Sequence, residues 1–407
     1  MEIITQGLNQ FGFELLRKEY AQNKVGENTV LSNISVFIAL LMAMAGSKGE
    51  TRNEILKSLK IEKYLVQDKL ADEEIFLNLH ETVHTLIKTV SSNESTNQVI
   101  LANKMIVNKL KIKTFFDDIL KSIYESSVDS VESNETFELI VRNTNKWISD
   151  LTNGKITNIL DESFKSVSLT LINAIYFNCE WAYEFNREKT QKKDFHVSKT
   201  QINQVELMEL TNKKFLYHFS ESLNSHLLSL PYKNEKYYFN IIFPSNEQDF
   251  LLFEDQNSLI NKIDYSALKN DFKNQVIESI NLIMPKFTIK KKINLNQVLK
   301  GLGINLAFDS KKADFNGITD ESNLYVQEVL QYSYVEVNEK GTEAAAATVV
   351  KIVKRSLSPI IHLNLNRPFV YFISEKSSNG ILFLGVFKGG FEAANENRFS
   401  KIDKTEL

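Results

Sequence analysis

Cysteine is almost absent from this chain of 407 residues, since Cys179 is the only one. A lone cysteine cannot form an internal disulfide, so cysteine usage does not indicate a redox compartment. Three of the histidines that follow it, His196, His218 and His362, are too far apart in sequence to nominate a catalytic partner. A triad formed in space stays open, and we interpret Cys179 as a packing residue.

Proline and glycine are also scarce, with 5 and 14 residues, which leaves little room for linkers between domains. A chain of this length could form two domains, but 43% hydrophobic residues allow one large core. We therefore predict a single domain over residues 1–407. The longest apolar run, residues 36–45, is about half the length that a bilayer requires, so no membrane insertion is expected.

A strong excess of charge of either sign is missing, because the formal net charge is only -3. This balance argues against non-specific binding to nucleic acid or anionic lipid. Residues 1–6 include an acidic side chain and no sustained apolar core, so they do not look like a signal peptide.

The most informative stretch that is present runs from residue 339 to residue 356. At its centre, residues 342–348 combine threonine and glutamate with four alanines, and propensity alone favours a helix there. Runs typical of β-strands lie on both sides, at residues 332–337 and 349–353. These favour instead a segment of small side chains that could enter a crowded sheet.

Residues 335–348 resemble the hinge of the reactive loop in inhibitory serpins, and residues 363–373 resemble the C-terminal signature of that family. Further blocks similar to serpin blocks occur in the family's order, at residues 31–46, 173–185, 282–287 and 313–318. The chain is thus identified as a member of the serpin family, and this replaces the helix interpretation of residues 342–348.

The resemblance implies an α+β fold with three β-sheets, about nine helices and an exposed reactive-centre loop at about residues 339–362. Helices mixed with antiparallel strands, without regular βα alternation, indicate the same fold class. The resemblance implies one serpin domain and a monomer, with no cofactor and no metal. The polar residues 389–407 extend past the usual end of the family.

The function that the resemblance implies is suicide inhibition of a serine protease, so the chain would not be an enzyme. The family's spacing puts the reactive bond 14 positions after Gly341, between Arg355 and Ser356. Arginine before the bond suits trypsin-like proteases, which hold an aspartate at the base of their specificity pocket. Lys354 is the alternative register. After acylation at Arg355, residues 341–355 would insert into the main sheet as a strand and trap the protease in a covalent complex.

The site residues that carry over from the family form two groups. The hinge comprises Glu339, Gly341, Thr342, Ala344, Ala345, Ala346, Ala347 and Thr348, and the positions that control sheet opening are Ser32, Ser35, Asn173, Trp181, Lys286 and Gln331. Glu339 matches a position that pairs with a lysine, here Lys286. Gln331 replaces a histidine that the family often has, so acid-triggered sheet opening is not expected.

Two other functions compete with inhibition. A non-inhibitory serpin, serving as a carrier or chaperone, is the first alternative, although such members usually have bulky or charged hinge residues. A zinc protease is the remote one, because residues 80–84 match the HExxH string. The glycine turn and third histidine of such proteases do not follow His84, and acidic residues at positions 72–74 lie nearby, so we interpret the string as a solvated helix face. Polyanion activation is not expected, since this helix offers little positive charge beyond Lys88.

Two observations favour an extracellular or cell-surface location. One is the Arg-Ser bond, and the other is the pair of possible glycosylation sites at Asn93 and Asn134. A start directly at the first helix resembles intracellular serpins, which keeps the cytoplasm as the alternative. A third sequon, at Asn33, lies in the block similar to the buried central helix, where a glycan would be untenable.

Overall fold

The computed structural model describes residues 1–22, 26–63, 72–108, 110–131, 137–161, 164, 168–245, 259–321, 323–342 and 359–390. Within these residues the nine α-helices are α1 (Glu2–Tyr20), α2 (Asn33–Gly46), α3 (Gly49–Ser58), α4 (Asp72–Val90), α5 (Thr114–Ile123), α6 (Phe137–Leu151), α7 (Leu259–Lys262), α8 (Tyr265–Lys273) and α9 (Asn296–Gly301). The strands are β1 (Thr29–Leu31), β2 (Ser92–Asn93), β3 (Asn97–Asn108), β4 (Val128–Val131), β5 (Leu169–Glu180), β6 (Gln191–His196), β7 (Ile202–Ser220), β8 (Ser225–Pro231), β9 (Tyr237–Pro244), β10 (Val276–Pro285), β11 (Phe287–Asn294), β12 (Val326–Val337), β13 (Gly341–Thr342), β14 (Ile361–Asn364), β15 (Phe369–Glu375) and β16 (Ile381–Phe387).

A seven-stranded sheet, here called the main sheet, has the order β11-β12-β5-β3-β2, with β13 paired to β5 and β4 paired to β3. Its two central strands, β5 and β12, are parallel and pair from Leu169 opposite Val326 to Ile175 opposite Ser333. Beyond that point β5 pairs on this side with β13, which runs antiparallel to it. On this side, the neighbour of β5 therefore changes from β12 to β13 near the C-terminal end of β5.

The other sheet has nine strands in the order β1-β16-β15-β9-β8-β7-β10-β14, with β6 paired to β7. Its longest strand, β7, pairs with β6 over its first part and with β8 over its last part. The pairing of β7 with β10 shifts register between Ile280 and Leu282. Two of the three predicted sheets are thus joined through β7 and β10, and the predicted α+β class is confirmed.

Helix α2 forms the centre of the core. All of its residues are buried, which agrees with a sequence that is apolar on every face. Ser32 begins the helix, because its Oγ accepts a hydrogen bond from the backbone N–H of Ser35 at 3.3 Å. The helix contacts β5 and β3 of the main sheet and β16 of the other sheet. Within the described residues, no helix combines the length and apolar character needed to cross a membrane.

Candidate functional site

The candidate site is the place where the start of the hinge meets the main sheet. Of the predicted hinge residues, the structure describes Glu339 and Gly341 in full and the backbone of Thr342. The other predicted loop residues, Ala344, Ala345, Ala346, Ala347, Thr348, Arg355 and Ser356, lie outside the described residues. The described part of the site therefore comprises the main sheet and the first hinge residues.

Gly341 lies against the end of β5, where its Cα is opposite Glu180 and the next residue is opposite Cys179. A Cβ at position 341 would come within 2.1 Å of the carbonyl oxygen of Cys179 and within 2.6 Å of the Cα of Glu180. These are backbone atoms that cannot move aside as a side chain can. Only glycine fits this close approach between two backbones.

An Asx turn at Asn338 presents Gly341 to the sheet. The Oδ1 of Asn338 accepts hydrogen bonds from the backbone N–H groups of Lys340 at 3.0 Å and Gly341 at 3.2 Å. The backbone N–H of Asn338 also donates to the carbonyl of Gly341 at 2.8 Å. Sequence reasoning missed this role, although asparagine a few residues before glycine is a turn signal.

Glu339 is buried, with 3% of its surface exposed, and its carboxylate has two side-chain partners. The Nζ of Lys286 lies 3.2 Å away, and the hydroxyl of Thr190 donates to Oε1 at 3.0 Å. The backbone carbonyl of Glu339 accepts from the N–H of Phe185 at 2.7 Å. The structure thus brings together Glu339 and Lys286, and it adds Thr190, which sequence reasoning did not assign to this site.

The ionised form of Glu339 is favoured in this setting. Burial alone would raise the pKa of its carboxyl group. Hydrogen bonds from its own backbone N–H, from Thr190 and from Lys286 outweigh burial and hold the pKa below its ordinary value. The first residue of the hinge is therefore held to the body by a charge-assisted contact.

Trp181 fixes the turn from the other side. Its indole Nε1–H donates to the carbonyl of Asn338 at 2.9 Å, and its backbone N–H donates to the carbonyl of Lys340 at 2.8 Å. The indole is buried and stacks on Tyr232, with ring centroids 4.4 Å apart. Because Trp181 follows β5 directly, it links the end of that strand to residues 338–340.

Gln331 connects β12 to α2 beneath the paired part of the main sheet. Its Nε2 donates to the carbonyl of Ser32 at 2.7 Å and to Oδ1 of Asn173 at 3.1 Å. Its Oε1 accepts from the N–H of Ser32 at 3.3 Å. The Nδ2 of Asn173 donates across to the carbonyl of Leu330 at 3.0 Å. We call Gln331, Ser32 and Asn173 the latch, because together they tie β5 and β12 to each other and to α2.

Ser35 supports the latch from α2. Its hydroxyl donates to the carbonyl of Ala174 at 3.4 Å, and its backbone N–H donates to Ser32. Ser32, Ser35, Asn173 and Gln331 all have 0% of their surface exposed. Breaking the latch would therefore leave buried polar groups without hydrogen-bond partners, which is costly.

The HExxH string lies on α4, and its predicted solvated face is wrong for His80. His80 is fully buried, with its ring 4.3 Å from that of Phe76 and its Nδ1 2.5 Å from the hydroxyl of Tyr124. Burial, and to a lesser extent the charge of Arg52, lowers its pKa to about 3. The Nδ1 of His84 bonds instead to the carbonyl of Ile123 at 2.7 Å. Among the described residues, no cluster of three or more potential metal ligands occurs.

Cys179 is buried in the core at the end of β5. Burial raises the pKa of its thiol well above the ordinary value. The thiolate that a nucleophile needs is therefore disfavoured, and packing is the role that this position supports.

Comparison with known proteins agrees with this architecture. A family model described as serpin, a serine protease inhibitor, matches residues 6–388. The intracellular coagulation inhibitor 2 of Tachypleus tridentatus is 31% identical over 388 residues, which cover 94% of this chain and 90% of the relative. The leukocyte elastase inhibitor of Xenopus laevis is 30% identical over 393 residues, which cover 95% of this chain and 99% of the relative.

A solved structure of human thyroxine-binding globulin in complex with thyroxine has a TM-score of 0.81 to this fold at 23% identity. The superposition covers 95% of this chain and 98% of the other. At that identity the likeness concerns the fold alone.

Proposed function

This chain belongs to the serpin family, and we propose that it inhibits trypsin-like serine proteases by a suicide mechanism. The protease serine attacks the carbonyl of Arg355 and forms an acyl-enzyme. Release of Ser356 as the new N-terminus frees residues 341–355, which insert between β5 and β12 with the protease attached. The chain is then a consumed inhibitor and not an enzyme.

The observation that supports this mechanism most is the change of partner along β5. Within the described residues, β5 and β12 pair only as far as Ile175 and Ser333. Beyond them β13 is already paired to β5 in the antiparallel direction. Since β5 and β12 are parallel, a strand that continues β13 would be antiparallel to both, and antiparallel pairing is slightly more stable than parallel pairing.

The register of β13 also explains why the hinge consists mainly of small residues. Thr342 is opposite Cys179, so in the inserted strand Ala344 and Ala346 would be opposite Phe177 and Ile175. Residues directly opposite share a face of the sheet. The side chains of Ile175, Phe177 and Cys179 belong to the main hydrophobic core, so that face accepts only small uncharged residues.

The opposite face suits the acidic residue of the hinge. In the same register Glu343 would be opposite Asn178, which is partly exposed. The carboxylate of Glu343 can therefore stay in contact with water after insertion. The alternation of side chains along a strand explains why one charge is tolerated there.

The free energy gained by insertion is large enough to drive the trap. A strand of about a dozen residues adds on the order of ten net hydrogen bonds at ~1 kcal/mol each. That gain is comparable with the whole stability of a typical domain. Insertion is therefore strongly favourable at equilibrium, so the trapped state is stable once it has formed.

Specificity for trypsin-like proteases rests on Arg355. A long cation pairs with the aspartate of their pocket, and removing one partner of such a buried pair costs about 2–5 kcal/mol. The related proteins are named for different targets, leukocyte elastase and coagulation. Target choice thus depends on the loop residues of each chain, and here the loop offers Arg355, with Lys354 as the alternative register.

Incubation with trypsin tests the proposal directly. We expect an adduct that survives SDS, with Ser356 as the new N-terminus of the released peptide. Arg355→Leu should abolish the adduct, whereas the control Lys354→Leu should leave it nearly unchanged. Cleavage at Arg355 without any adduct would mean that the protein is a substrate or a non-inhibitory serpin. Loss of the adduct in Lys354→Leu alone would show that the reactive bond follows Lys354 instead.

A pair of hinge variants tests insertion separately from recognition. Thr342→Arg places a charge opposite Cys179 on the core face, so we expect cleavage by trypsin at Arg355 with little adduct. Glu343→Arg is the matched control, because it adds the same side chain on the wet face. The measurement is moles of inhibitor consumed per mole of protease; equal effects of the two variants would contradict the proposed register.

A carrier is the second candidate, and a cavity favours it. A space of about 290 Å³ between α8 and the nine-stranded sheet is lined by Tyr265, Phe272, Phe372 and Lys269, among others. The structural neighbour named above is a thyroxine-binding globulin. Titration of intrinsic fluorescence with thyroxine distinguishes the two functions: saturable binding without protease adducts would support the carrier, and adducts without binding would support the inhibitor.

Polyanion activation is not part of the proposal. Lys88, the cation that α4 offers, forms an ion pair with Glu125. Addition of heparin should therefore leave the second-order rate constant of inhibition unchanged. A rate increase with a bell-shaped dependence on heparin concentration would contradict this.

For the compartment we propose the cytoplasm, the alternative named from the sequence. A relative at 31% identity is called an intracellular coagulation inhibitor, and the comparisons give no support to the extracellular location that the Arg-Ser bond and the sequons favour. Of the sequons, Asn33 is fully buried, Asn93 is exposed in β2, and Asn134 lies outside the described residues. A shift in mass on treatment of the native protein with an N-glycosidase, abolished by Asn93→Gln, would contradict a cytoplasmic location.

A further inference from the structure

A cavity lies at the edge of the main sheet, beside β3. Its volume is about 300 Å³, and its walls come from α2, α4, β2, β3 and the two residues that follow α5, Tyr124 and Glu125. Ligand pockets in proteins measure roughly 300–1,000 Å³, so this cavity suits a small ligand. The inhibitory mechanism proposed above uses none of the residues that line it.

The edge of β3 is open along this cavity. On its outer side β3 pairs with β2 at Gln98 and Val99, and it pairs with β4 from Met105 to Asn108. Within the described residues, no strand pairs with the outer side of residues 100–104. An open stretch of sheet edge is a template on which another extended chain can add.

Alternate residues of β3 direct their backbone groups to this outer side. The N–H of Glu180 on β5 donates to the carbonyl of Thr96, just before β3, at 3.1 Å, so the even-numbered residues of β3 bond to β5. Asn97 instead exchanges two hydrogen bonds with Glu94, at 3.2 and 3.3 Å, on the side away from β5. The odd-numbered residues therefore direct their N–H and C=O groups outward.

Three backbone groups of the odd-numbered series have no partner in the part of the chain that the structure describes. They are the N–H and C=O of Leu101 and the N–H of Asn103, two residues that line the cavity. The C=O of Asn103 accepts from the hydroxyl of Ser126 at 2.8 Å. The side-chain Oδ1 of Asn103 also lacks a partner, although only 8% of this residue is exposed. Buried polar groups without partners are rare and costly, so a ligand that pairs with them is favoured.

We propose that this cavity binds a short extended peptide segment, which adds to the open edge of β3. The complementary ligand needs one donor for the C=O of Leu101 and two acceptors, one for the N–H of Leu101 and one for the N–H of Asn103. A dipeptide blocked at both ends offers this set in either strand direction. The N–H of its second residue then donates to Leu101, while the N–H of its first residue points away from β3.

The walls of the cavity indicate which side chains such a segment carries. Ile38, Ile87 and Val99 contribute apolar surface, and β-branched apolar residues favour the extended conformation that pairing requires. The small volume limits the segment to about two residues. We therefore choose N-acetyl-valyl-valinamide as the probe.

Calorimetric titration of the full chain with this peptide and two methylated forms tests the proposal. We expect saturable binding at one site, weakened at least fivefold when the backbone nitrogen of the second valine is methylated, because the donor to Leu101 is lost. Methylation of the first nitrogen is the matched control and should leave the affinity unchanged. Absence of saturation would overturn the proposal. Equal affinity of the two methylated peptides would also overturn it, since the cavity would then take apolar groups without pairing to β3.

Amide hydrogen exchange, followed by NMR, locates the bound peptide. In the free protein the amide protons of Leu101 and Asn103 should exchange faster than those of Ile100 and Ala102, which pair with β5. The peptide should slow exchange at Leu101 and Asn103 at least tenfold more than at Ile100 and Ala102. Equal slowing at all four positions, or slowing at none, would overturn the proposal.

Discussion

His80 is a neutral histidine of α4 whose side chain is buried in the core. Its Nδ1 contacts the hydroxyl of Tyr124, which is itself buried. Burial and the charge of Arg52 lower its pKa to about 3, whereas an unfolded histidine titrates near 6.5. Between these two values the unfolded chain binds the additional proton.

We therefore predict that His80 makes the protein sensitive to acid. Stability should fall as pH decreases from about 6.5 towards 3, by up to ~1.4 kcal/mol per pH unit. His80→Phe should remove much of the difference in urea midpoint between pH 7.5 and pH 4.5. His84→Phe, on the same helix at a partly exposed position, is the control, and an unchanged pH dependence in His80→Phe would refute the assignment.

Lys286 is expected to matter because its partner is buried. Lys286→Met leaves the carboxylate of Glu339 with fewer partners in a site that is 3% exposed. We expect a loss of about 1–3 kcal/mol in the free energy of unfolding and a change in Trp181 fluorescence, since Trp181 bonds to the neighbouring residue 338.

Lys292→Met gives the comparison for that experiment. Lys292 pairs with Asp161, whose side chain is 54% exposed, and exposed pairs contribute about 0–1 kcal/mol. If the two substitutions cost the same free energy of unfolding, the anchoring role of Glu339 would not hold.

The Glu339–Lys286 pair and His80 show how far prediction from sequence can go at the level of single residues. The pairing of Glu339 with Lys286 could be predicted from a family resemblance, although 53 positions separate the partners. The burial of His80 was missed because the acidic residues at its N-terminal side suggested a wet face. Its spacing of three residues from Val83 and seven from Ile87, both buried, was the available signal.

At the scale of elements, β5 and β12 are held together by the latch as well as by their own ladder. Gln331 is the member that touches both other residues, Ser32 and Asn173. We predict that Gln331→Leu leaves buried polar groups without partners, at a cost of about 1–3 kcal/mol for each group. The main sheet should then open more readily.

The rate at which a synthetic peptide of the hinge sequence enters the main sheet measures this opening. Gln331→Leu should raise that rate severalfold and lower the thermal midpoint. Gln327→Leu carries the same substitution on the same strand at a partly exposed position and should change neither. A faster rate in both variants would mean that the effect is general to β12.

Elements with a simple pattern were predictable, and their connections were not. The apolar run of α2 predicted a fully buried helix, which the structure has. The pairing of β7 with β10, which joins the two sheets, shifts register between Ile280 and Leu282. Such a shift is set by which strand lies alongside, and a single strand's sequence does not carry that information.

At the scale of the whole molecule, the proposed mechanism requires that the intact fold is not its own most stable arrangement. We predict that cleavage between Arg355 and Ser356 raises the thermal midpoint by tens of degrees, because the inserted strand adds on the order of ten hydrogen bonds. Scanning calorimetry of intact and cleaved protein measures this. The cleaved Thr342→Arg variant is the control and should show a much smaller rise.

The pairing of β13 has a consequence for timing. Gly341 and Thr342 already lie opposite Glu180 and Cys179, so the alignment of the whole incoming segment is decided before any bond is cut. In helices the first ordered turn is the costly step and each later residue is added more easily, and we expect the same order for this strand. After a protease cuts this loop, hydrolysis of the acyl-enzyme therefore competes with extension of a strand whose first two residues are already paired.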